Sequence, residues 1–366
     1  MSEQNPLGTH QFSDERRDFR AFIAIDDLTL GPAVGGIRMR PYRDLDEARA
    51  DCERLACAMT RKSALARVPL GGGKMVVVGN PAAEKNEGLY RFVAECINSL
   101  KGTYIAACDV GWNSSDLITI GELTPYVTER PCKGIRSDDT AEMTAIGVVA
   151  GIQAVIEHCC GTSNICGFWF ALQGIGNVGR RTGIQLYKNN AGRIFICDEI
   201  TDKVRQFNRV CPRDTVEIVQ TETIYDEPAD IFVPSARGGI LTEETIGRLA
   251  DAGFLAVAGS ANNQLAEPEE YTAVLLHGKN ICYAPDFVIN AGGIIDCAAK
   301  IADNYDALRT KKKVLEIGPR LLNILRRAEA ADCSPHLVAA RDAERILEEE
   351  RTKKATTQTP QTPPVT

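Results

Sequence analysis

The chain of 366 residues lacks the features that mark nucleic-acid, membrane and metal proteins. It has only four histidines, without ligand-like spacing, which argues against a zinc site or a histidine-based catalytic triad. Lysine and arginine (42) are outnumbered by aspartate and glutamate (49), so no basic face for nucleic acid is expected. No apolar run reaches the roughly 20 residues of a membrane span. We therefore expect no metal site, no nucleic-acid partner and no membrane partner.

Cysteine is abundant but unpatterned. The chain has 13 cysteines, an odd number, and no Cys-x-x-Cys pair. The first residues also lack the basic and then apolar run of a secretory signal. Free thiols in a reducing compartment explain this pattern best, so the sequence predicts a cytoplasmic protein.

The length exceeds that of one ordinary hydrophobic core and predicts two domains. Predicted strands and helices alternate along most of the chain, which indicates an α/β fold. We place the first domain at 1–138 and the second at 139–324, with the boundary in a polar loop. The first 20 residues are polar and predicted to be irregular at their start. The threonine- and proline-rich segment 352–366 is predicted to be a disordered tail.

Two lysines twelve positions apart are candidates for a functional pair. Lys62 lies in a predicted helix, whereas Lys74 follows Gly71-Gly72-Gly73 and precedes a β-like run. Glycine allows close backbone approach, and desolvation pushes a lysine toward its neutral form, which can act as a base. We hypothesise that Lys62 anchors an anion while Lys74 transfers protons, with the charge of Lys62 lowering the pKa of Lys74. The alternative is an exposed lysine after a glycine-rich turn.

Two further segments could contribute to such a site. Residues 31–38 are rich in glycine and are predicted to form a loop whose backbone N–H groups face a ligand. Asp109 follows a short predicted strand, and Val110 and Gly111 come directly after it. A carboxylate at that place can be functional, or it can cap the next helix.

A dinucleotide fingerprint lies in the second half of the chain. An apolar predicted strand runs into Gly174-Ile175-Gly176-Asn177-Val178-Gly179, a helix follows, and the next strand ends at Asp198, 19 residues after Gly179. This context predicts that the glycines accept a pyrophosphate at the helix N-terminus and that Asp198 binds a ribose 2′-hydroxyl. A carboxylate there repels a 2′-phosphate, which favours NAD over NADP. The alternative is a purely structural glycine turn.

Later strand ends supply further candidates, because ligands of open α/β sheets bind at the carboxyl ends of the strands. Asparagine at a strand end is also a common turn former, so each position alone is a weak indication. The candidate cofactor contacts are Ser235, Ala236, Ala258, Gly259, Ser260, Asn262 and Asn290.

Together these motifs resemble the leucine/phenylalanine/valine dehydrogenase group of the Glu/Leu/Phe/Val amino-acid dehydrogenases, over about residues 18–350. The resemblance implies reversible, NAD-dependent oxidative deamination of an L-amino acid to a 2-oxo acid and ammonia. It also implies an N-terminal α/β domain for substrate and oligomerisation, a Rossmann NAD-binding domain, and a cleft between them. Helices at about 325–350 are expected to pack back on the first domain, in a homo-oligomer that is a dimer or larger.

The resemblance assigns roles to individual residues. Lys62 is expected to bind the substrate α-carboxylate with the backbone of Gly36. Lys74 activates the water that attacks the imino intermediate, and Asp109 holds the amino group and relays protons. Asn262 contacts the nicotinamide ribose or the substrate amine, and Asn290 lies near the cofactor.

Two positions bear on the substrate side chain. Val34 stands where related glutamate dehydrogenases have a lysine, and Cys297 stands where they have serine and leucine enzymes have an aliphatic residue. Both imply an apolar pocket for an aliphatic or aromatic amino acid, without ranking Leu, Val, Phe and Trp. The charged segment 134–143 departs from the glycine-, serine- and proline-rich loop of the family, which leaves the substrate range open.

Two other functions fit parts of the sequence. One is a catalytically lapsed NAD-binding homologue with a regulatory role, against which the retained Lys62, Lys74 and Asp109 argue. The other is an oxidoreductase acting on an atypical pair of 2-oxo acid and amine, to which only segment 134–143 points.

Overall fold

The computed structural model describes residues 7–129, 139–211, 214–302 and 305–358. They form two compact units, the first made of residues before 136 together with those from 341 onward, the second of residues 136–340. A five-stranded sheet lies in the first unit and a six-stranded sheet in the second. The predicted α/β fold class is confirmed. Residues 134–138 of segment 134–143 lie outside the described residues, whereas 139–143 are described, as the start of a helix.

The first unit contains β1 (Gly8–Asp14), β2 (Phe19–Asp27), β3 (Ala33–Arg40), α1 (Leu45–Ala66), β4 (Gly71–Val78), α2 (Pro81–Glu84), α3 (Glu87–Ser99), β5 (Tyr104–Cys108) and α4 (Ser114–Gly121). The strand order is β1-β2-β4-β3-β5. β2 is antiparallel to β1 and β4, whereas β3 is parallel to both β4 and β5. The very start that we predicted to be irregular, residues 1–6, lies outside the described residues, and from Gly8 onward β1 forms a full antiparallel ladder with β2.

The two faces of this sheet have different covers. Ala33, Ile37 and Met39 of β3 point into the main core, where residues of α3 also pack. The opposite face carries Phe22 and Val76, which pack with residues of α1. Since strand side chains alternate, the even-numbered residues of β3 lie on this second face.

The glycine-rich segment 31–38 is mainly a strand and not the loop that we predicted, because it provides most of β3. A Cβ atom at Gly35 would overlap the carbonyl of Gly73 in the neighbouring strand. Gly71, Gly72 and Gly73 likewise open β4, where a Cβ at Gly72 would overlap Thr60 of α1. The glycines therefore allow close packing of strands and helix and do not mark a turn.

The second unit contains α5 (Asp139–Cys160), β6 (Trp169–Gln173), α6 (Asn177–Lys188), β7 (Arg193–Cys197), α7 (Thr201–Val210), β8 (Val216–Ile218), β9 (Ile231–Pro234), α8 (Glu243–Ala252), β10 (Ala256–Val257), α9 (Glu269–Gly278), β11 (Cys282–Tyr283), α10 (Asp286–Ile289), α11 (Gly292–Ile301), α12 (Ala307–Leu315) and α13 (Ile317–Ala330). The strand order is β11-β10-β9-β6-β7-β8, all parallel. The order reverses between β6 and β9, which is where open α/β sheets bind ligands.

Helix α5 is the most apolar long helix of the described residues. Its segment Thr140–Cys160 is long and apolar enough to cross a membrane by length and composition, yet 67% of its most apolar window is buried inside the protein. It packs against α6, α11 and α13 of the same unit. These contacts are those of a core helix.

The last helix, α14 (Pro335–Gln358), begins in the second unit and belongs to the first from residue 341. It continues through 352–358, which we predicted to be disordered; residues 359–366 lie outside the described part. Arg351 Nη2 donates to Asp27 Oδ2 at 2.6 Å, and Lys354 Nζ donates to the carbonyl of Thr29 at 2.5 Å. These contacts hold the end of the helix against the segment that follows β2.

Candidate active site

The first cluster of functional side chains lies where β4, β3 and β5 run side by side. Lys74 in β4 is only 4% exposed, so the alternative of a surface lysine is wrong. Its Nζ donates a hydrogen bond to Oδ2 of Asp109, which is the residue directly after β5. Arg38 of β3 donates from Nε to the same oxygen at 3.3 Å. One carboxylate oxygen thus accepts from two cationic side chains.

Gly36 makes room for this contact. A Cβ atom at this position would stand 2.5 Å from Asp109 Cβ and 3.2 Å from Lys74 Nζ. Both distances are too short for a normal side-chain contact with a fixed neighbour. The absence of a side chain at Gly36 is therefore a condition for the Lys74–Asp109 pair, beyond the backbone role that the family resemblance gave it.

The cluster sets the protonation of both groups. Burial lowers the pKa of Lys74; Asp109 opposes this effect and Arg38 reinforces it, so the pKa lies below the ordinary 10.5. Burial alone would raise the pKa of Asp109, but Lys74 and Arg38 outweigh it and hold that pKa well below its usual range. Asp109 is therefore held as an anion, beside an amine that burial and Arg38 shift toward its neutral form. Arg38, which we did not predict, provides one neighbouring positive charge, and the effect that we expected from Lys62 stays a prediction.

Asp109 does not cap the following helix through its side chain. Helix α4 is capped by Asn113, whose side chain accepts from the N–H of Asp116, in a reciprocal capping box. The cap of α4 is thus provided by Asn113, which removes the alternative role of Asp109. The carboxylate is left to face Lys74 and Arg38.

Arg38 and its second partner, Asp51 of α1, were not among the predicted residues. Arg38 Nη1 donates to Asp51 Oδ2 at 3.2 Å, and the same oxygen accepts from the Tyr42 hydroxyl at 2.8 Å. Arg54 donates to Asp51 Oδ1 at 3.0 Å. A signal existed: Arg38 stands two residues after Gly36, and a strand would put both on one face. The prediction of a loop hid it.

Lys62 lies on α1 and is 7% exposed. Two neighbours of Lys62 on α1 contact the glycines that precede Lys74. A Cβ atom added at Gly72 would overlap Thr60, and Ser63 Oγ donates to the carbonyl of Gly71 at 3.5 Å. The structure thus puts Lys62 on the helix that packs over the start of β4. Its role toward a carboxylate stays a prediction.

The second cluster surrounds the glycine turn of the second unit. The predicted strand, turn and helix are confirmed as β6, the segment from Gly174 and α6. Gly174 has a φ of +98°, which favours glycine, and a Cβ at Gly179 would overlap the carbonyl of Gly174. Gly176 is the N-cap of α6 and has no side chain that could cap the first N–H groups of the helix. Such a helix N-terminus can accept a phosphate group.

Asp198 lies beside this turn, as predicted. Its Oδ2 accepts from the N–H of Ile175 at 2.8 Å, and its Oδ1 accepts from the N–H of Ile200 at 2.9 Å. Lys203 Nζ lies 3.7 Å from Oδ1. An ionised carboxylate has about four lone-pair positions, so Asp198 can fix the turn and still accept from a ribose hydroxyl.

The other predicted cofactor contacts form two groups. The N–H of Ser235 donates to the carbonyl of Gln173 at 2.7 Å, and a Cβ at Gly174 would lie 2.7 Å from that of Ala236. Asn290 Nδ2 donates to Asn262 Oδ1 at 2.9 Å and to the Ser260 carbonyl at 3.1 Å. Ala258 and Gly259 join the two groups at the end of β10, where a Cβ at Gly259 would overlap Pro234 of β9.

Two buried polar atoms of these groups fit a bound dinucleotide. Ser235 Oγ and Asn290 Oδ1 are buried and have no hydrogen-bond partner within the described residues. Buried polar atoms normally have a partner, so Ser235 Oγ, directly after β9 at the switch point, and Asn290 Oδ1, beside the segment after β10, suit hydrogen bonds to ligand groups. Together with the uncapped start of α6, the residues present fit NAD.

The two predicted side-chain pocket residues belong to different units. Val34 is fully buried in β3, on the face that also carries Gly36. Cys297 is 5% exposed on α11, one turn after Gly293. Asn262 belongs to the second unit as well. Within the described ranges, no group of three His, Cys, Asp or Glu side chains could hold a metal ion.

Comparisons with known proteins found matches along most of the chain. The sequence model described as Glu/Leu/Phe/Val dehydrogenase, dimerisation domain, matches residues 8–124, and that described as Glutamate/Leucine/Phenylalanine/Valine dehydrogenase matches 194–355. A phenylalanine dehydrogenase of Lysinibacillus sphaericus is 36% identical, covering 94% of this chain and 89% of that protein. A leucine dehydrogenase of Thermoactinomyces intermedius is 38% identical, covering 94% and 91%.

A solved structure shares the fold along nearly the whole chain. The L-tryptophan dehydrogenase of Nostoc punctiforme superimposes with a TM-score of 0.74 at 34% identity, covering 94% of this chain and 95% of that one. The amino acids in the three names have apolar side chains, aliphatic in one case and aromatic in two.

Proposed function

The chain belongs to the Glu/Leu/Phe/Val dehydrogenase family, and we propose that it catalyses the reversible, NAD-dependent oxidative deamination of an apolar L-amino acid. The products are a 2-oxo acid and ammonia. The observation that carries this proposal is the buried pair of Lys74 and Asp109 beside Gly36. A buried amine with a lowered pKa and a fixed carboxylate suit proton transfer at an amino acid.

The residues of the first unit handle the amino acid. Lys62 binds the α-carboxylate, together with the backbone of Gly36. The Asp109 carboxylate, held as an anion by its two cationic neighbours, attracts the substrate amino group. Lys74 in its neutral form takes a proton from the water that adds to the imino carbon, and it returns that proton to the departing nitrogen.

The residues of the second unit would hold NAD, which when bound accepts the hydride from the substrate Cα. The turn from Gly174 to Gly179 receives the pyrophosphate, and Asp198 receives the ribose 2′-hydroxyl. Ser235, Ala236, Ala258, Gly259 and Ser260 line the adjacent strand ends. Asn290 holds the amide of Asn262 toward the nicotinamide ribose or the substrate amine.

Val34 and Cys297 support an apolar substrate side chain. Neither residue provides a cation for a second carboxylate, and both are buried. We therefore assign an aliphatic or aromatic amino acid. The names of the relatives, which include leucine, phenylalanine and tryptophan, support the same class.

The deciding experiment measures NADH formation with L-Leu, L-Val, L-Phe, L-Trp and L-Glu, and NADH consumption with the matching 2-oxo acids plus ammonium. We expect turnover with at least one apolar substrate in both directions and a far lower kcat/KM for glutamate. Tight NADH binding without turnover of any substrate would contradict the proposal and indicate a lapsed, regulatory homologue. Turnover of a 2-oxo acid only with an amine other than ammonia would indicate an atypical pair.

We also propose that the protein is a cytoplasmic homo-oligomer, a dimer or larger. The match of residues 8–124 to a dimerisation domain supports this assignment. Light scattering coupled to size exclusion gives the mass of the particle directly, and a mass of one 39.8 kDa chain would contradict it.

Replacing Lys62 tests the carboxylate anchor. In Lys62→Ala, we expect the KM for the amino acid to rise roughly 10- to 100-fold, because a hydrogen bond to a charged group contributes about 1.5–3 kcal/mol. The KM for NAD should stay unchanged, since the cofactor residues lie in the other unit. Initial rates over a range of amino-acid concentrations measure this, and an unchanged KM for the amino acid would remove Lys62 from the site.

Replacing Asp198 tests the preference for NAD. Asp198→Asn removes the charge that repels a 2′-phosphate but keeps one oxygen for the backbone of the glycine turn. We expect the ratio of kcat/KM with NADP to kcat/KM with NAD to rise, mostly through a lower KM for NADP. If the ratio is unchanged and the variant is folded, Asp198 fixes the turn and does not select the cofactor.

A further inference from the structure

Arg38 forms hydrogen bonds to two carboxylates of the first unit. It donates to Asp109 through Nε and to Asp51 through Nη1, at 3.3 and 3.2 Å. Its side chain is 16% exposed, and those of Asp109 and Asp51 are 15% and 5% exposed. The guanidinium therefore links the carboxylate at the end of β5 to a second carboxylate on α1.

Asp51, the second carboxylate, has other donors besides Arg38. Asp51 accepts from the Tyr42 hydroxyl at 2.8 Å and from Arg54 at 3.0 Å, and Arg40 Nη2 lies 3.7 Å from it. Asp51 thus keeps cationic neighbours if Arg38 is removed. Asp109, in contrast, loses one of its two cationic donors and keeps Lys74.

We propose that Arg38 is a positioning residue, which holds the Asp109 carboxylate on Lys74 and opposes a positive charge on that lysine. This inference rests on the proposed function of the Lys74–Asp109 pair. The planar guanidinium suits the task, because it can donate to two carboxylates at once in a fixed geometry. A lysine ammonium offers a single donor centre and cannot bridge them in the same way.

Two further titratable groups lie on the elements packed against Lys74. Cys52 of α1 donates from Sγ to the Lys74 carbonyl at 3.3 Å, and burial raises the pKa of its thiol to about 12. The Tyr104 hydroxyl of β5 donates to the Gly35 carbonyl at 2.7 Å, and burial raises its pKa too. Both stay neutral near pH 7. From the other neighbouring strand, β2 pairs Ala24 with Lys74, and Lys62 is a further cation on α1.

The sign of the effect follows from the charges. A cation beside Lys74 disfavours the ammonium form, so its removal raises the pKa of Lys74. Because the neutral amine is the active form, the acidic limb of kcat/KM for deamination must then move to higher pH. A shift of about 1 pH unit corresponds to a roughly tenfold loss at a fixed pH on that limb.

The test compares pH profiles of kcat/KM for Arg38→Gln, Arg38→Lys and the wild type. We expect the acidic limb to move up by about 1 pH unit in Arg38→Gln and to return part of the way in Arg38→Lys, which keeps the charge. Arg54→Gln is the matched control, because it takes a cation from Asp51 and leaves Arg38 and Lys74 on Asp109; its limb should not move. Identical limbs in Arg38→Gln and wild type would overturn the inference, even if kcat or thermal stability fell.

A second readout does not require turnover. Reductive methylation with formaldehyde and sodium cyanoborohydride at a series of pH values, followed by mass spectrometry of the peptide that contains Lys74 and normalised to an exposed lysine of the same sample, gives the pKa of Lys74. We expect this pKa to be higher in Arg38→Gln than in wild type, with no change in Arg54→Gln. An inactive wild type with this shift would overturn the proposed function alone, whereas an active wild type without it would overturn the role of Arg38.

Discussion

In Lys74→Ala, we expect kcat for amino-acid deamination to fall by roughly 100- to 10,000-fold, the range that a positioned acid–base group contributes. The buried amine beside Asp109 has a pKa below its ordinary value, which suits it to take a proton, and alanine cannot replace it. The variant should fold, because Asp109 keeps its hydrogen bond from Arg38. Steady-state rates and a fluorescence titration with NADH measure the two properties.

The Kd for NADH should be unchanged, since the residues predicted to bind it belong to the second unit. Lys85→Ala is a matched control: Lys85 also forms an ion pair with an aspartate, at 2.7 Å from Asp116, in the same unit but without contact to Lys74. It should retain nearly normal turnover. Near-normal turnover in Lys74→Ala would mean that another group is the base.

In Gly36→Ala, we expect a loss of about 100-fold in kcat/KM from the addition of a single methyl group. The new Cβ would stand 2.5 Å from Asp109 Cβ and 3.2 Å from Lys74 Nζ, so the pair must move apart. A displacement of about 1 Å in a catalytic group can cost about 100-fold. Rates and a thermal melt, measured on the same preparation, separate loss of geometry from loss of fold.

Gly247→Ala provides the comparison for this variant. Gly247 lies in α8, and a Cβ built there meets no heavy atom within 4 Å. The Gly247→Ala substitution should therefore leave the activity intact. It should raise the melting temperature slightly, because alanine is more favourable than glycine inside a helix. A folded Gly36→Ala with full activity would show that Asp109 and Lys74 have more freedom than their packing indicates.

Local signals in the sequence were sufficient for the fold class and for several candidate residues. The turn from Gly174 to Gly179 could be predicted because strand, glycines, helix and Asp198 follow one another within a short segment. Helix α4 could be predicted because Asn113 and Asp116 form a capping pair three residues apart. In each case, the residues that determine the structure are neighbours in the chain.

The remaining features depend on contacts between distant segments. β3 was predicted to be a loop because glycine is unfavourable in strands, and only the neighbouring strand shows that Gly35 must lack a side chain. Arg38 contacts Asp109, 71 residues later, so its role depends on the pairing of β3 with β5. The composition of 352–358 suggested disorder, but Arg351 reaches Asp27, 324 residues earlier, and fixes the helix.

The division of the chain into units also bears on the order in which the protein can be made. The second unit is one continuous segment, whereas the first takes its final helical residues from beyond position 340. Every residue of the second unit is therefore synthesised before the first unit is complete. The unit that carries Lys62 and Lys74 is begun first and finished last, and a fragment that stops before residue 341 cannot reproduce it.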